Sequence, residues 1–165
     1  MDINDNLNLN NSTKLNCGLL NVQSVGNKTL DIYELIIDKK LDVLALTETW
    51  LNMYDTAKIK EMTPNTHTFI HIPRSGKRGG GVGIFLQNSF KKIKIATTGM
   101  CESFEKIQIS CEINRRKCVF VVVYRPPNSR KSLFIQEFRT YLETVDTVGA
   151  NVLICGDFNL WIEAQ

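Results

Sequence analysis

The sequence predicts an α/β fold in which two packed, mixed and largely antiparallel β-sheets are flanked by helices. Three observations predict it: a strand–helix–strand unit near the start, five strand-like segments in the middle, and a helix followed by an apolar strand at the end. The length of 165 residues and the hydrophobic content of 43% suit one domain with a sizeable core. No internal repeat, second domain or linker is apparent.

A polar leader precedes the first structured unit. Residues 1–14 are polar and rich in Asn, which predicts a disordered tail before a domain over residues 15–165. We expect structure to begin near Leu15, with a strand through Leu19-Leu20-Asn21.

A helix and a second strand complete this βαβ-like unit. Thr29 is expected to cap a helix over Leu30–Lys39, and Asp42–Leu46 is a near-continuous apolar strand that ends at Thr47-Glu48. The helix is predicted because its apolar residues recur at helical spacing: Ile32, Tyr33, Ile36 and Ile37.

The middle of the chain is rich in strand patterns. The clearest alternates Ile107, Ile109, Cys111 and Ile113 with polar residues, which gives one buried face and one solvated face. The five predicted strands are Thr68–His71, Gly81–Gln87, Lys91–Ala96, Phe104–Ile113 and Lys117–Tyr124.

The C-terminal part returns to a helix and a strand. Pro126-Pro127-Asn128 breaks the sheet, and Ser129 or Ser132 is expected to start the helix. Gly149 ends the helix, and Asn151–Cys155 is the last strand. The residues predicted to share one helical face are Phe134, Phe138, Tyr141, Leu142 and Val145.

The charge is weakly basic and unevenly distributed. A net charge of +3 permits an anionic partner without requiring one. Each basic cluster, taken singly, suits a solvated strand end or turn, whereas several clusters at one rim would suit a phosphate backbone. The clusters are Arg74/Lys77/Arg78, Lys91/Lys92/Lys94, Arg115/Arg116/Lys117 and Arg125/Arg130/Lys131.

Cysteine usage and hydropathy predict an intracellular protein without a membrane segment. The five cysteines form no C-x-x-C pair, and most lie in apolar runs, so we expect small buried hydrophobes in a reducing compartment. The polar N-terminus does not resemble a signal peptide, and no apolar stretch approaches the length of a membrane span.

Four apolar strands end in oxygen-bearing side chains. Ligands of α/β sheets tend to bind beyond the carboxyl ends of strands, and carboxylates with amide oxygens suit Mg²⁺ better than zinc. Each residue alone also suits an ordinary turn or strand end, and spacing does not establish that they converge. The residues concerned are Asn21, Glu48, Tyr124, Asp157 and Asn159.

Five motifs in order carry a family resemblance over about Leu15 to the end. They are Leu20-Asn21-Val22-Gln23-Ser24, Leu46-Thr47-Glu48-Thr49-Trp50-Leu51, Arg78-Gly79-Gly80-Gly81-Val82, Tyr124-Arg125-Pro126-Pro127-Asn128 and Gly156-Asp157-Phe158-Asn159. Together they resemble the endonuclease domain of LINE-type (non-LTR) retrotransposons, which belongs to the endonuclease/exonuclease/phosphatase superfamily together with apurinic/apyrimidinic endonucleases. The resemblance implies a four-layer sandwich and DNA as the partner.

The resemblance also implies residue roles. Glu48 would hold a catalytic Mg²⁺, or Mn²⁺ in its place, with Asn21 nearby on the metal or the phosphate. Asp157 would orient or activate the attacking water, and Asn159 and Tyr124 would contact the scissile phosphate. The product would be a DNA nick with a free 3′ hydroxyl. A functional enzyme of this kind would work in the nucleus, beside a reverse transcriptase domain that this sequence does not contain. Gly79-Gly80-Gly81 is expected to shape a tight strand entry.

The chain departs from the family pattern after Gly156-Asp157-Phe158-Asn159. The family pattern continues with a later Asp and a Ser-Asp-His-like motif, whereas Leu160–Gln165 follow here. His67 and His71 are predicted to be strand or surface residues and do not replace that motif. We therefore expect a C-terminally incomplete copy with impaired activity. The alternatives are an inactive remnant that binds nucleic acid and a phosphatase-like hydrolase of small phosphoesters.

Overall fold

The computed structural model of the protein describes residues 14–73, 79–96, 99–145 and 147–160. The predicted tail and the Arg74/Lys77/Arg78 cluster lie outside the described residues, apart from Lys14. In order, the elements are β1 (Cys17–Asn21), α1 (Thr29–Asp38), β2 (Val43–Thr47), α2 (Thr56–Met62), β3 (His67–Ile72), β4 (Val82–Gln87), β5 (Lys91–Ile95), β6 (Glu105–Ile113), β7 (Arg116–Tyr124), α3 (Lys131–Thr144) and β8 (Ala150–Asp157).

The strands form two mixed, four-stranded sheets, which confirms the predicted fold class. The first sheet has the order β1-β2-β4-β3, and the second has the order β5-β6-β7-β8. Each sheet has one parallel pair, β1 with β2 and β7 with β8, and its other pairs are antiparallel. α1 connects the first parallel pair and α3 the second, because parallel neighbours require a crossover connection.

Three apolar clusters fix four layers. The central cluster lies between the sheets and includes Ala45 and Ile84 from the first sheet with Ile109 and Val122 from the second. A second cluster joins the other face of the first sheet to α1 and α2, and a third joins β7 to α3. β2 and β7 are therefore buried on both faces, which explains their near-continuous apolar sequences.

The helix boundaries differ from the sequence-based expectations. Thr29 is the first residue of α1 and not its cap; Lys28 stands at the N-cap position without a side-chain hydrogen bond. α3 begins at Lys131, between Ser129 and Ser132, and Arg130 occupies its N-cap position. The prediction of a Thr29 cap was wrong, and neither helix has a side-chain cap hydrogen bond. α2 was not predicted, since its seven residues carry too short a pattern.

Several apolar residues predicted to face the core are exposed. On α1, Ile32 and Ile36 are buried while Tyr33 and Ile37 are exposed, so the buried stripe is narrower than the sequence indicates. Leu142 on α3 is exposed too.

The cysteines also divide by environment. Cys111 and Cys118 are buried as expected, and burial raises the pKa of Cys111 to about 11. Cys17 is exposed, because β1 is an edge strand of the first sheet, so the expectation of burial was wrong for this residue. Within the described ranges, no helix combines the length and apolar character needed to traverse a bilayer.

Candidate functional site

One side-chain amide joins the two sheets at the carboxyl ends of their parallel strands. Asn21 Nδ2 donates to Glu48 Oε1 at 2.8 Å and to Asp157 Oδ2 at 2.7 Å. The orientation of the amide is consistent, because Asn21 Oδ1 accepts the main-chain N–H of Gln23 at 3.2 Å. Two carboxylates from different sheets thus lie within hydrogen-bond distance of one nitrogen atom.

The strand registers bring these residues to the same end of the molecule. Asn21 ends β1 opposite Thr47, so Glu48 is the first residue beyond β2. In the second sheet, Tyr124 ends β7 opposite Asp157, which ends β8. The two parallel pairs therefore end together, and the polar residues that follow the buried strands come close to one another.

Glu48 has a left-handed backbone, with φ of 54°. This conformation is uncommon for a residue with a Cβ, and it persists where the surroundings impose it. Here the Glu48 carbonyl accepts the N–H of Ser24 at 2.8 Å, and Thr49 donates its N–H to Gly81 at 3.2 Å. The segment after β1 and the segment before β4 thus fix the main chain on both sides of the Glu48 side chain.

The glycine run before β4 supports this turn. Gly79, Gly80 and Gly81 all have positive φ, between 72° and 87°. The N–H of Gly81 donates to Glu105 Oε2 at 2.5 Å, and Glu105 lies opposite Tyr124 in the β6–β7 register. Glu105 therefore links the glycine run to the second sheet, a role that no sequence motif indicates.

Asp157 and Asn159 form a tight turn after β8. The main-chain N–H of Asn159 donates to Asp157 Oδ1 at 3.1 Å, and Asn159 has a left-handed φ of 47°. Asn159 Nδ2 donates to the Arg125 carbonyl at 2.7 Å. One amide hydrogen of Asn159 is thus used within the fold, and the described residues offer no acceptor to the second.

Arg125, which directly follows β7, holds this turn by hydrogen bonds. Its Nη1 donates to the carbonyls of Asn159 at 2.8 Å and Phe158 at 3.4 Å, and its Nη2 donates to the carbonyl of Ser129. Its guanidinium carbon lies 5.8 Å from the centre of the Phe134 ring. The residue is 5% exposed, so its assignment to a solvated basic cluster was wrong. Its position between the apolar run Val119–Val123 and Pro126-Pro127 was the signal for burial.

Tyr124 is part of the core as well as of the strand end. It is buried in the central cluster between the sheets. Its neighbours in register are Glu105 on β6 and Asp157 on β8. The five predicted site residues therefore share one end of the sandwich, with Asn21, Glu48 and Asp157 in direct contact and Asn159 bonded to Asp157.

The donor set fits a hard divalent cation. Mg²⁺ is commonly held by one or two carboxylates, with water and substrate phosphate as its other ligands, and Glu48 with Asp157 supplies such carboxylates. In the described part of the chain, no group of three or more His, Cys, Asp or Glu side chains could hold a metal ion. Carboxylate and amide oxygens are ligands for hard cations, whereas zinc prefers His and Cys.

The histidines and two basic clusters lie elsewhere. His67 and His71 are in β3, at the opposite edge of the first sheet from β1. Lys91/Lys92/Lys94 belong to β5, and Lys91 pairs in register with Glu112 at the far end of β6. Arg115 lies in the β6–β7 turn, and Arg116 is the first residue of β7, at the end of that strand opposite to Tyr124. These two clusters therefore do not share a rim with Glu48.

Comparison with known proteins places this arrangement in a family context. A model of the endonuclease/exonuclease/phosphatase family matches residues 8–164. No curated protein matches the chain.

Solved structures have the same fold at low sequence identity. TDP2 of D. rerio, in complex with a single-strand DNA product, is 17% identical with a TM-score of 0.67, covering 91% of this chain and 62% of that one. An AP endonuclease from Archaeoglobus fulgidus is 16% identical with a TM-score of 0.59, covering 87% and 57%. A mannosyl-6-phosphatase from Bacteroides thetaiotaomicron is 14% identical with a TM-score of 0.64, covering 92% and 68%. The chain thus spans about three fifths of the length of the first two structures.

Proposed function

Because the chain belongs to the endonuclease/exonuclease/phosphatase family, we propose that it hydrolyses phosphodiester bonds of DNA with Mg²⁺ or Mn²⁺ as cofactor. The observation that carries the proposal is the Asn21 amide, which donates to both Glu48 and Asp157. Two half-buried carboxylates that share one donor repel each other, and a bound cation would offset that repulsion beyond what the Asn21 hydrogen bonds do. The finer proposal, from the five sequence motifs, is a nicking activity like that of LINE-type retrotransposon endonucleases.

Glu48 and Asn21 are the residues proposed to lie at the metal ion. Enzymes of this family generally use divalent metals. When bound, the ion would neutralise charge on the phosphate and on the departing 3′ oxygen. Glu48 would be its carboxylate ligand, and its strained backbone would hold that carboxylate in a fixed direction. Asn21 would orient Glu48 and Asp157 through its two hydrogen bonds.

Asp157 is proposed to contact the attacking water, and Asn159 is proposed to contact the scissile phosphate. Asp157 would orient a water molecule and accept its proton as the water oxygen attacks phosphorus. The bond between phosphorus and the 3′ oxygen would break, and that oxygen would take up a proton to leave a 3′ hydroxyl opposite a 5′ phosphate. Asn159 would donate its remaining amide hydrogen to a phosphate oxygen, with Tyr124 in contact from the adjoining strand end.

DNA is the proposed partner, bound through its phosphate backbone. The fold likeness to TDP2 solved with a single-strand DNA product is consistent with this choice. The retrotransposon proposal also includes a reverse transcriptase domain in the same element and activity in the nucleus.

Plasmid nicking with Mg²⁺ tests the proposal. Conversion of supercoiled to open-circular DNA should fall by at least about 10²-fold in Glu48→Ala and in Asp157→Ala, the lower range for loss of a positioned catalytic group. Glu143→Ala is the matched control, because the Glu143 side chain is 70% exposed on α3. Equal, background nicking by all four proteins would refute the enzymatic proposal. Retained DNA binding in that case would favour the inactive, nucleic-acid-binding alternative, and hydrolysis of a small phosphoester without nicking would favour the phosphatase.

A further inference from the structure

The loop that carries Glu48 also carries an exposed aromatic surface. Trp50 is 45% exposed and Tyr54 is 82% exposed. The two neighbours of Trp50 in sequence, Thr49 and Leu51, are buried. The loop therefore contributes Leu51 to the core and still leaves its two rings in solvent. Trp and Tyr are enriched at interfaces, so two exposed rings in the loop that carries Glu48 form a candidate binding surface.

The backbone fixes Trp50 in this outward position. Its φ is 53°, which is an outlier for a bulky residue. Its N–H donates to the carbonyl of Gly80 at 2.9 Å, beside the Thr49–Gly81 hydrogen bond. The same pair of glycine contacts therefore imposes the left-handed conformations of both Glu48 and Trp50. The indole and the carboxylate, two residues apart, are held by one rigid turn.

Gly79 keeps the indole uncovered. A Cβ placed on Gly79 would lie 3.5 Å from Trp50 Nε1, so any other residue there would cover part of the ring. The conformation of Gly79, with φ of 83°, also favours glycine. A half-exposed indole on a fixed backbone is the kind of surface on which an unpaired nucleobase stacks.

We propose that Trp50 is a stacking platform for an unpaired DNA base next to the scissile phosphate, with Tyr54 extending the aromatic surface. This inference rests on the proposed DNA substrate and specifies it: the preferred substrate has unpaired or locally melted bases at the site. Two basic clusters of the described structure, at β5 and at the β6–β7 turn, lie away from Glu48, so these cations are not the proposed contact to the base.

Binding of three labelled probes to the full chain tests the platform. The probes are oligothymidylate, an abasic deoxyribose-phosphate oligomer of equal length and charge, and a fully paired duplex, in a Glu48→Gln background that prevents cleavage. We expect Trp50→Ala to weaken oligothymidylate binding about 5- to 150-fold, which is the stacking contribution of one base. Trp50→Phe should retain most of the affinity, and binding of the abasic oligomer should not change in either variant.

A matched control and a spectroscopic signature separate stacking from misfolding. Tyr33→Ala removes an exposed aromatic ring from α1 and should leave binding unchanged. The chain has two tryptophans, so in a Trp161→Phe background the fluorescence reports on Trp50 alone. Oligothymidylate should quench it, and the abasic oligomer should not.

Two outcomes would overturn the platform: equal oligothymidylate affinity for wild type and Trp50→Ala, or equal affinity of the wild type for the abasic oligomer and oligothymidylate. Failure of the platform and failure of the proposed function are distinguishable. Glu48-dependent nicking with Trp50-independent binding refutes the platform alone, whereas Trp50-dependent binding without nicking refutes the activity alone.

Discussion

Arg125 and Asn159 hold each other by reciprocal hydrogen bonds. The guanidinium of Arg125 donates to the Asn159 carbonyl at 2.8 Å, and the amide of Asn159 donates to the Arg125 carbonyl at 2.7 Å. The main-chain N–H of Arg125 also donates to the Asp157 carbonyl at 2.9 Å. The turn that presents Asp157 is therefore fixed by a buried cation that donates to main-chain carbonyls.

Removal of the Arg125 guanidinium should destabilise the fold. We expect Arg125→Ala to lower the free energy of unfolding by about 1.5–3 kcal/mol, because buried carbonyls lose charged hydrogen-bond donors. Arg125→Lys should recover part of this at most, since an ammonium lacks the planar fork. Urea unfolding measures both. Arg139→Ala is the control, with its side chain 85% exposed and 3.9 Å from Glu143, and it should change stability by less than about 0.5 kcal/mol. An equal effect at both positions would contradict the role of Arg125.

Asn21→Asp should make stability depend on divalent cations. The substitution replaces the shared donor with a third carboxylate beside Glu48 and Asp157, so we expect a loss of about 1–3 kcal/mol without metal. Mg²⁺ should then raise the melting temperature more than it does in the wild type. Thermal unfolding with and without Mg²⁺ measures the difference, and Asn21→Ala serves as the control that removes the donor without adding charge. A variant that melts like the wild type in both buffers would show that the shared hydrogen bonds are unimportant.

Gly156→Ala should destabilise the fold by disturbing the pairing of β7 with β8. A Cβ at Gly156 would lie 1.8 Å from the Val123 carbonyl oxygen, and the backbone φ is 154°. We expect the loss of stability to exceed about 3 kcal/mol, at the upper end for a strained residue. Gly149→Ala is the comparison, because Gly149 has a φ of 63° with open space around its Cβ position, and it should cost about 1–2 kcal/mol. Chemical denaturation of both variants tests the ranking, and similar costs would argue against close approach of these strands.

His71 should make the folded state less stable under mildly acidic conditions. Burial lowers the pKa of His71 from its usual value of 6.5, while Asp55 opposes that shift. As pH falls through 6.5, the unfolded chain takes up a proton that the folded state resists, so stability decreases until the pH drops below the lowered pKa. The free energy of unfolding, followed from neutral pH to pH about 5, should fall less steeply in His71→Gln. Asp55→Asn should extend the decrease to lower pH, and an unchanged profile in both variants would exclude His71 as its source.

The sequence predicted much of the fold because strands and helices leave periodic patterns. The alternation of Ile107, Ile109, Cys111 and Ile113 marks the buried face of β6, and the continuous apolar run of Val119–Val123 marks a strand buried on both faces. α2 and the exposure of Tyr33 escaped prediction. A short helix carries little periodicity, and the width of a buried stripe depends on the element that packs against it.

The sequence by itself determined which residues stand at the strand ends and to which family the chain belongs, because strand period and motif order are local properties. The tertiary structure alone decided that Asn21 meets Asp157, since a contact over 136 positions depends on how two sheets pack. It also decided that Arg125 is buried and that Glu48 is left-handed. Main-chain carbonyls accept hydrogen bonds from the buried Arg125 side chain. Main-chain hydrogen bonds to other segments hold Glu48 in a conformation that it does not prefer on its own.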